Sequence, residues 1–126
     1  MAKLTKGIGK ESPTVMTITK IGNEITYASI NVNILQLTDG TYEWDQLELP
    51  SFALNNIHNA DDDTKYSVLI AHIVKAYYND NQMDAVINNY LLDQENESYK
   101  SEFNKMQKVR ATAKSTAKEI ITNKIF

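Results

Sequence analysis

The chain has 126 residues, 42% of them apolar and 23% charged, with a net charge of −3 and no cysteine. This length suits one domain, residues 1–126, that buries a core without cross-links. The missing cysteine excludes a disulfide scaffold, a thiolate metal centre and a cysteine nucleophile, and no run of 18 or more apolar residues offers a membrane span.

Residues 1–13 contain Lys3, Lys6, Lys10, Gly7 and Gly9 and end at Pro13, a composition that predicts a mobile arm. No apolar stretch follows them to form a signal-peptide core, and Ala2 excludes myristoylation. Residues 14–21, TVMTITKI, are rich in branched side chains and predict a first strand. Gly22-Asn23 supplies a two-residue turn. A second strand follows over 24–37, with Ala28, Ile30, Val32 and Ile34 on one face and Asn31 and Asn33 on the other. The alternation flips at Ile34-Leu35, which predicts either a bulge or a break into two strands. Asp39-Gly40 predicts a type I′ hairpin turn. A third strand, 41–49, places Tyr42 and Trp44 on one face and Glu43 and Asp45 on the other, and Pro50 ends it. The aromatic face is expected against the helices, with an exposed aromatic patch as the alternative. The acidic face is expected at a solvated or interface surface.

Residues 51–63 are expected to be a connection that ends in Asp61-Asp62-Asp63. These acids suit a helix N-terminus, and their spacing lacks the alternation, glycine and closing glutamate of a calcium loop. The first helix is expected over 64–79, with an apolar stripe of Tyr66, Leu69, Ile70, Ile73, Val74 and Tyr77. Asn79-Asp80-Asn81 breaks it, and Asp80 or Asn81 can cap a second helix over 82–92. A third helix spans about 97–122. Its Tyr99, Phe103, Met106, Arg110, Ala113, Ala117 and Ile120 follow the 4-3 spacing of a helix seam. Ala111, Ala113 and Ala117 make its second half thin. Arg110 on the seam means that the apolar face drifts to Val109 or that Arg110 meets an acid across an interface. The expected fold is therefore α+β, a three-stranded antiparallel meander over 14–50 followed by a three-helix unit over 64–122.

No residue set predicts catalysis. There is no glycine after Gly40 to form a phosphate loop, and no Gly-x-Ser-x-Gly elbow. His58 and His72 are isolated and suit helix-face or boundary positions better than a metal site. The catalytic, cofactor-binding and metal-ligating sets are all expected to be empty, and no cofactor is implied. Two helices joined by Asn-Asp-Asn resemble a helix-turn-helix in outline. The polar face of the second holds Gln82, Asp84, Asn88 and Asn89, and offers no cation to phosphate.

The charge is partitioned. Residues 1–20 carry +3, residues 21–63 carry −8 without one Lys or Arg, and residues 64–126 carry +2. The pI near 5.3 argues against a general nucleic-acid binder. The last helix is locally basic, through Lys105, Lys108, Arg110, Lys114 and Lys118.

The segment Tyr66–Ile121 has the form Y-x2-LI-x2-IV-x2-YYNDNQMDAVINNYLLD, then Y-x3-F-x2-MQ-x2-R-x2-A-x3-AKEII. It resembles the C-terminal helical module of small accessory proteins from prophages of gut Bacteroidetes, of the tail or fibre assembly kind. DGTYEWDQLELP is similar to the short β-rich heads of such proteins. The resemblance implies a non-enzymatic phage protein acting by protein–protein contacts, as a virion component or an assembly factor, in the host cytoplasm or the virion. Its partners would be phage structural proteins or further copies of itself. Tyr42, Trp44, Gln107, Arg110 and Lys114 are the candidate contact residues. The alternative is a small nucleic-acid-binding regulator using Lys105, Lys108, Arg110, Lys114 and Lys118.

Overall fold

The structure, a computed structural model, describes residues 3–126. It is an α+β fold with a four-stranded antiparallel sheet and four helices. The strands are β1 (Lys3–Gly9), β2 (Met16–Ile21), β3 (Glu24–Gln36) and β4 (Tyr42–Leu49). The helices are α1 (Ser51–Ile57), α2 (Asp62–Tyr77), α3 (Asp80–Leu92) and α4 (Glu97–Thr122). The expected three-stranded meander with three helices is thus corrected at two places.

The first correction is β1. Residues 3–9 of the expected mobile arm pair with β4 from Lys3↔Glu48 to Gly9↔Tyr42. Met1 and Ala2 lie outside the described residues. The two glycines and the lysines argue against a strand on propensity alone. Tertiary pairing overrides that preference, because the glycines leave room for a neighbour. A Cβ added at Gly7 would stand 2.2 Å from Trp44 Nε1, and one at Gly9 would stand 3.2 Å from Trp44 Cη2. The second correction is α1, inside the expected 51–63 connection. Pro50 fixes φ at −65° at its N-cap, and Leu54 is fully buried.

The strand order is β1-β4-β3-β2, a Greek-key order in which β2, β3 and β4 form the meander and β1 returns beside β4. Residues 10–15 must cross from one sheet edge to the other. The Asn31 side chain, on the face away from the helices, donates to the Thr14 carbonyl at 2.6 Å and so marks where the crossing ends. The β2–β3 turn has Gly22 at φ 61° with Asn23 outside the left-handed region, the pattern of a type II′ turn. The β3–β4 connection is not the expected type I′ turn. Leu37 N–H donates to the Thr41 carbonyl at 2.7 Å, and Gly40 N–H to the Leu37 carbonyl at 3.0 Å. Only Gly40, at φ 87°, is left-handed there. This is a three-residue loop with a terminal glycine bulge. Asp39 secures it by accepting from the Thr41 N–H and hydroxyl, which holds its carboxyl below the ordinary value.

Of the two explanations for the flipped alternation in β3, the structure has the bulge. Val32 pairs with Asp45 and Leu35 with Glu43, so Asn33 and Ile34 together oppose Trp44. Asn33 takes φ 54°, which asparagine tolerates better than most residues. The core lies between the sheet and the helices. Ala28, Ile30, Val32, Leu47 and Leu49 meet Leu54, Leu69, Ile73, Ala113, Ala117 and Ile120 there. The side chain of Asn55 in α1 replaces β4 where that strand has ended. Its Oδ1 accepts from Ile25 N–H and its Nδ2 donates to the Ile25 carbonyl, both at 2.9 Å.

The helix starts follow their caps. Asp61 accepts from Thr64 N–H at 2.8 Å, and Asn96 from Tyr99 N–H at 3.2 Å. Asn79, not Asp80 or Asn81, caps α3, in a reciprocal capping box with Gln82. At the end of α4, Ile125 N–H donates to the Ile120 carbonyl and Lys124 N–H to the Ile121 carbonyl, with Lys124 at φ 55°. This is a Schellman cap with lysine in the place that favours glycine. Lys124→Gly should raise unfolding free energy by about 1 kcal/mol, read as a higher denaturant midpoint with an unchanged slope. Gly7→Ala should destabilise instead, because the new methyl meets the Trp44 indole. Its signature is faster amide exchange across β1 with α2 and α4 still protected.

Candidate interaction surfaces

Three surfaces carry polar or aromatic groups arranged beyond what packing needs. The first lies at the rim of the sheet–helix interface, where Asp45 is buried and Lys6 and Asn33 are exposed. Asp45 shares its β4 face with Leu47 and Leu49 and is buried on the helix side. Tyr77 Oη donates to Asp45 Oδ2 at 2.6 Å, and Asn33 Nδ2 lies 3.0 Å from the same oxygen. Lys6 Nζ stands 2.7 Å from Asp45 Oδ1. Asn33 Nδ2 also reaches Tyr77 Oη at 3.1 Å, which closes the group. Burial alone would raise the Asp45 carboxyl. The bonds from Asn33, Lys6 and Tyr77, with the Lys6 charge, outweigh it and hold the pKa below the ordinary value. Burial and the adjacent carboxylate push the Tyr77 hydroxyl far above a free phenol, so it remains a proton donor in the bond. A cavity of about 150 Å³ opens beside the group, lined by Asn33, Tyr77, Lys105, Lys108, Val109 and Thr112.

The second surface is the outer face of the sheet. Tyr42 and Trp44 lie there, which corrects the expectation that they face the helices. The physical reason is parity: Leu47 and Leu49 turn the odd-numbered side of β4 inward, and Asp45 goes with them. Trp44 is half-buried over Gly7 and Gly9, and its Nε1 is buried without a protein hydrogen-bond partner. The rest of the face is polar and largely uncharged, with Thr5, Gln46, Tyr27, Ser29 and Asn31. The expected acidic sheet face is not assembled. Asp45 points inward, Glu48 lies on the opposite parity, and Glu43 sits in register between Ile8 and Leu35.

The third surface is the solvent side of α4. Met106, Ala113, Thr116, Ala117 and Ile120 are buried, and Val109 is half-buried while Arg110 is exposed. The apolar face therefore drifts to Val109, the first of the two alternatives. Ala113 and Ala117 bring α4 close to α2, whereas Ala111 faces solvent. Gln107, Arg110 and Lys114 recur at i, i+3 and i+7 and form one exposed stripe that Lys118 continues. The five cations of residues 103–118 are all exposed, and that span contains no acid. Among the described residues the ion pairs are Lys6–Asp45 and Lys100–Glu97, so none of the five is paired.

The five candidate contact residues thus fall into two groups. Tyr42 and Trp44 lie on the sheet side, and Gln107, Arg110 and Lys114 on the helix side. The residues missed from sequence are Lys6, Asn33 and Tyr77 around Asp45. An acid on the leucine parity of β4 was the available signal. His72 is partly buried on α2, and burial and Lys75 lower its pKa. His58 ends α1 against Phe126, with ring centroids 6.2 Å apart. Among the described residues no group of three or more metal-ligating side chains forms, and no helix is long and apolar enough to cross a membrane. No family model, curated protein or solved structure matches the chain.

The Asp45 group has a pH signature with a definite sign. A carboxyl with a depressed folded pKa adds stability above 3.8, and that stability is lost as pH falls through the lower folded value. Lys6, raised by its bond to Asp45 and by the carboxylate charge, adds stability below 10.5 that is lost at more alkaline pH. Asp45→Asn should therefore reduce both limbs of the stability profile measured by urea denaturation against pH. Tyr77→Phe should cost about 1.5–3 kcal/mol at neutral pH and weaken the alkaline limb in particular, because the raised Tyr77 hydroxyl adds stability that is lost above pH 10.0.

Proposed function

We propose that the protein is a non-enzymatic phage accessory protein that acts through protein–protein contacts. It serves as a virion or tail component or as a tail assembly factor, in the host cytoplasm or in the virion. The observation that carries the reading is the solvent face of α4, five exposed cations from Lys105 to Lys118 with no acid between them, Glu102 and Glu119 standing at the two ends. A cationic surface with no internal partner favours an acidic one and rejects basic surfaces. The resemblance of Tyr66–Ile121 to prophage accessory modules supplies the class of partner, phage structural proteins. The internal polar group supports the same reading. Asp45, Asn33, Tyr77 and Lys6 bond one another, and the protonated Tyr77 is no base.

A second reading, a small nucleic-acid-binding regulator, draws on the same acid-free span of Lys105, Lys108, Arg110, Lys114 and Lys118. Two measurements separate them. In co-expression with a panel of phage tail structural proteins, wild-type protein should retain a tail protein, and Arg110→Glu/Lys114→Glu should retain at least tenfold less at unchanged circular dichroism. Equal retention by the double variant overturns the proposal. In a DNA titration the regulator requires affinity that falls with salt at a log–log slope near −3 or steeper, about 0.9 per phosphate neutralised. No binding at 50 mM salt removes that second reading.

A further inference from the structure

We infer that copies of this chain associate head to tail, with the apolar tip of the α3–α4 hairpin of one copy seated in the α2–α3–α4 cleft of the next. The inference rests on the reading of a protein that works by surface contacts, and it names one partner, a second copy.

The tip is an apolar knob with an acidic collar. No residue of α3 is fully buried, and its last two positions, Leu91 and Leu92, are 63% and 81% exposed. Asp93 and Glu95 follow at once, both exposed and without a cation among residues 91–99, and Glu97, also exposed, pairs with Lys100 at 3.8 Å. The knob is held in one shape. Asp93 N–H donates to the Asn89 carbonyl, and Asn96 N–H to the Asp93 carbonyl. Glu95 N–H donates to Asp93 Oδ1 at 3.2 Å. Beneath it, Tyr90 stacks on Phe103 with ring centroids 4.1 Å apart and planes 8° from parallel, which fastens α3 to α4. A preorganised knob loses little freedom when it docks.

The cleft has the opposite character. It holds about 210 Å³, with Ile70, Ala71, Val74 and Met83 as apolar lining and Lys75 and Arg110 as cations at its edge. No acid lines it, and a leucine side chain suits its size. The tip cannot reach its own cleft, because Met83 and Leu92 are nine residues apart on one rigid helix, about 13 Å. Charge also selects the arrangement. A two-fold contact through the tips would set Asp93 and Glu95 of one copy against the same acids of the other. A two-fold contact through the clefts would set Lys75 and Arg110 against themselves. Only the heterologous contact, tip into cleft, brings the apolar surfaces together with opposite charges around them. Such a contact leaves a free tip at one end and a free cleft at the other, so it propagates or closes into a ring.

Sedimentation velocity across protein concentration and salt tests the contact. Wild-type protein should rise above the single-chain mass of 14.3 kDa with concentration at low salt, and fall back toward it at 0.5 M salt, where the Debye length shrinks to about 4 Å. Leu92→Asp destroys the tip, and Ala71→Asp/Lys75→Glu destroys the cleft. All three positions are exposed, so both variants should keep wild-type circular dichroism and sediment as single chains. Mixed in equal amounts, they should form a 1:1 dimer and nothing larger, because one intact cleft and one intact tip remain. A wild type that stays a single chain at every concentration overturns the inference, and so does a mixture that does not pair. A single-chain wild type that still retains phage structural proteins overturns the self-contact alone and leaves the wider reading standing.

Discussion

A carboxylate on the helix-facing side of a central strand needs donors, and the arrangement of this fold follows from how Asp45 finds them. Its three partners come from three other elements: Lys6 from β1, Asn33 from the bulge of β3 and Tyr77 from the last turn of α2. Each partner would be displaced by a simple change in the local structure. Without β1 there is no Lys6 beside the carboxylate. Without the bulge, Asn33 would follow the parity of Asn31 and face away from the helices. Tyr77 arrives only because α2 runs on to the capping box at Asn79. Removing one partner from a buried charge is far more damaging than replacing the whole group by apolar residues. The group therefore specifies register, helix position and the pairing of β1 together.

The opposite face of the same strand solves a different problem. β1 and β2 occupy the two edges of the sheet, so the chain must cross between them. Trp44 fills the space beside β1 that its glycines leave open, and Asn31 ties the end of the crossing to β3 through Thr14. No helix makes more than marginal contact with β1, and Leu4 and Ile8 on its inward parity are 38% and 70% exposed. The edge strand is thus held by its ladder, one ion pair and one indole. Interior burial has little part in it. This gives β1 a lower local stability than α2, α4 or β3, which share the core.

The parts of the fold that were legible in the sequence are those in which local pattern and tertiary environment agree. α4 occupies Glu97–Thr122, the expected span, because a 26-residue run of helix formers has a cap at one end and a seam along its length. The β2–β3 hairpin follows from branched residues around Gly22-Asn23. What was illegible depends on partners distant in the chain. Lys3–Gly9 has poor strand propensity and becomes a strand because β4 offers an unpaired edge and a large indole that only glycine admits. The inward face of β4 is set by Leu47 and Leu49 and not by the bulkier Tyr42 and Trp44. Two leucines on one parity are the better guide, since they lack a polar atom to satisfy. Helical spacing puts Gln107, Arg110 and Lys114 on one stripe. Their freedom from acidic partners required the packed structure.

The helical half divides into a part that closes the core and a part that does not. The second half of α4 supplies Ala113, Thr116, Ala117 and Ile120 to the interior, and small side chains there let α2 approach. The first half turns instead to α3, which has no fully buried residue and meets α4 through Tyr90, Phe103 and their neighbours. A hairpin that overhangs its domain in this way adds little to the core, yet it keeps caps at both helix starts and a bonded loop at its tip. Charge follows the same division. Acids collect at the tip, and cations run along α4 from Lys105 to Lys118. If solubility were the only requirement, interspersed signs would serve better than separated ones. Separation by sign along one rigid hairpin makes the two ends of the surface complementary to each other and unlike themselves. That is the condition for a directional contact.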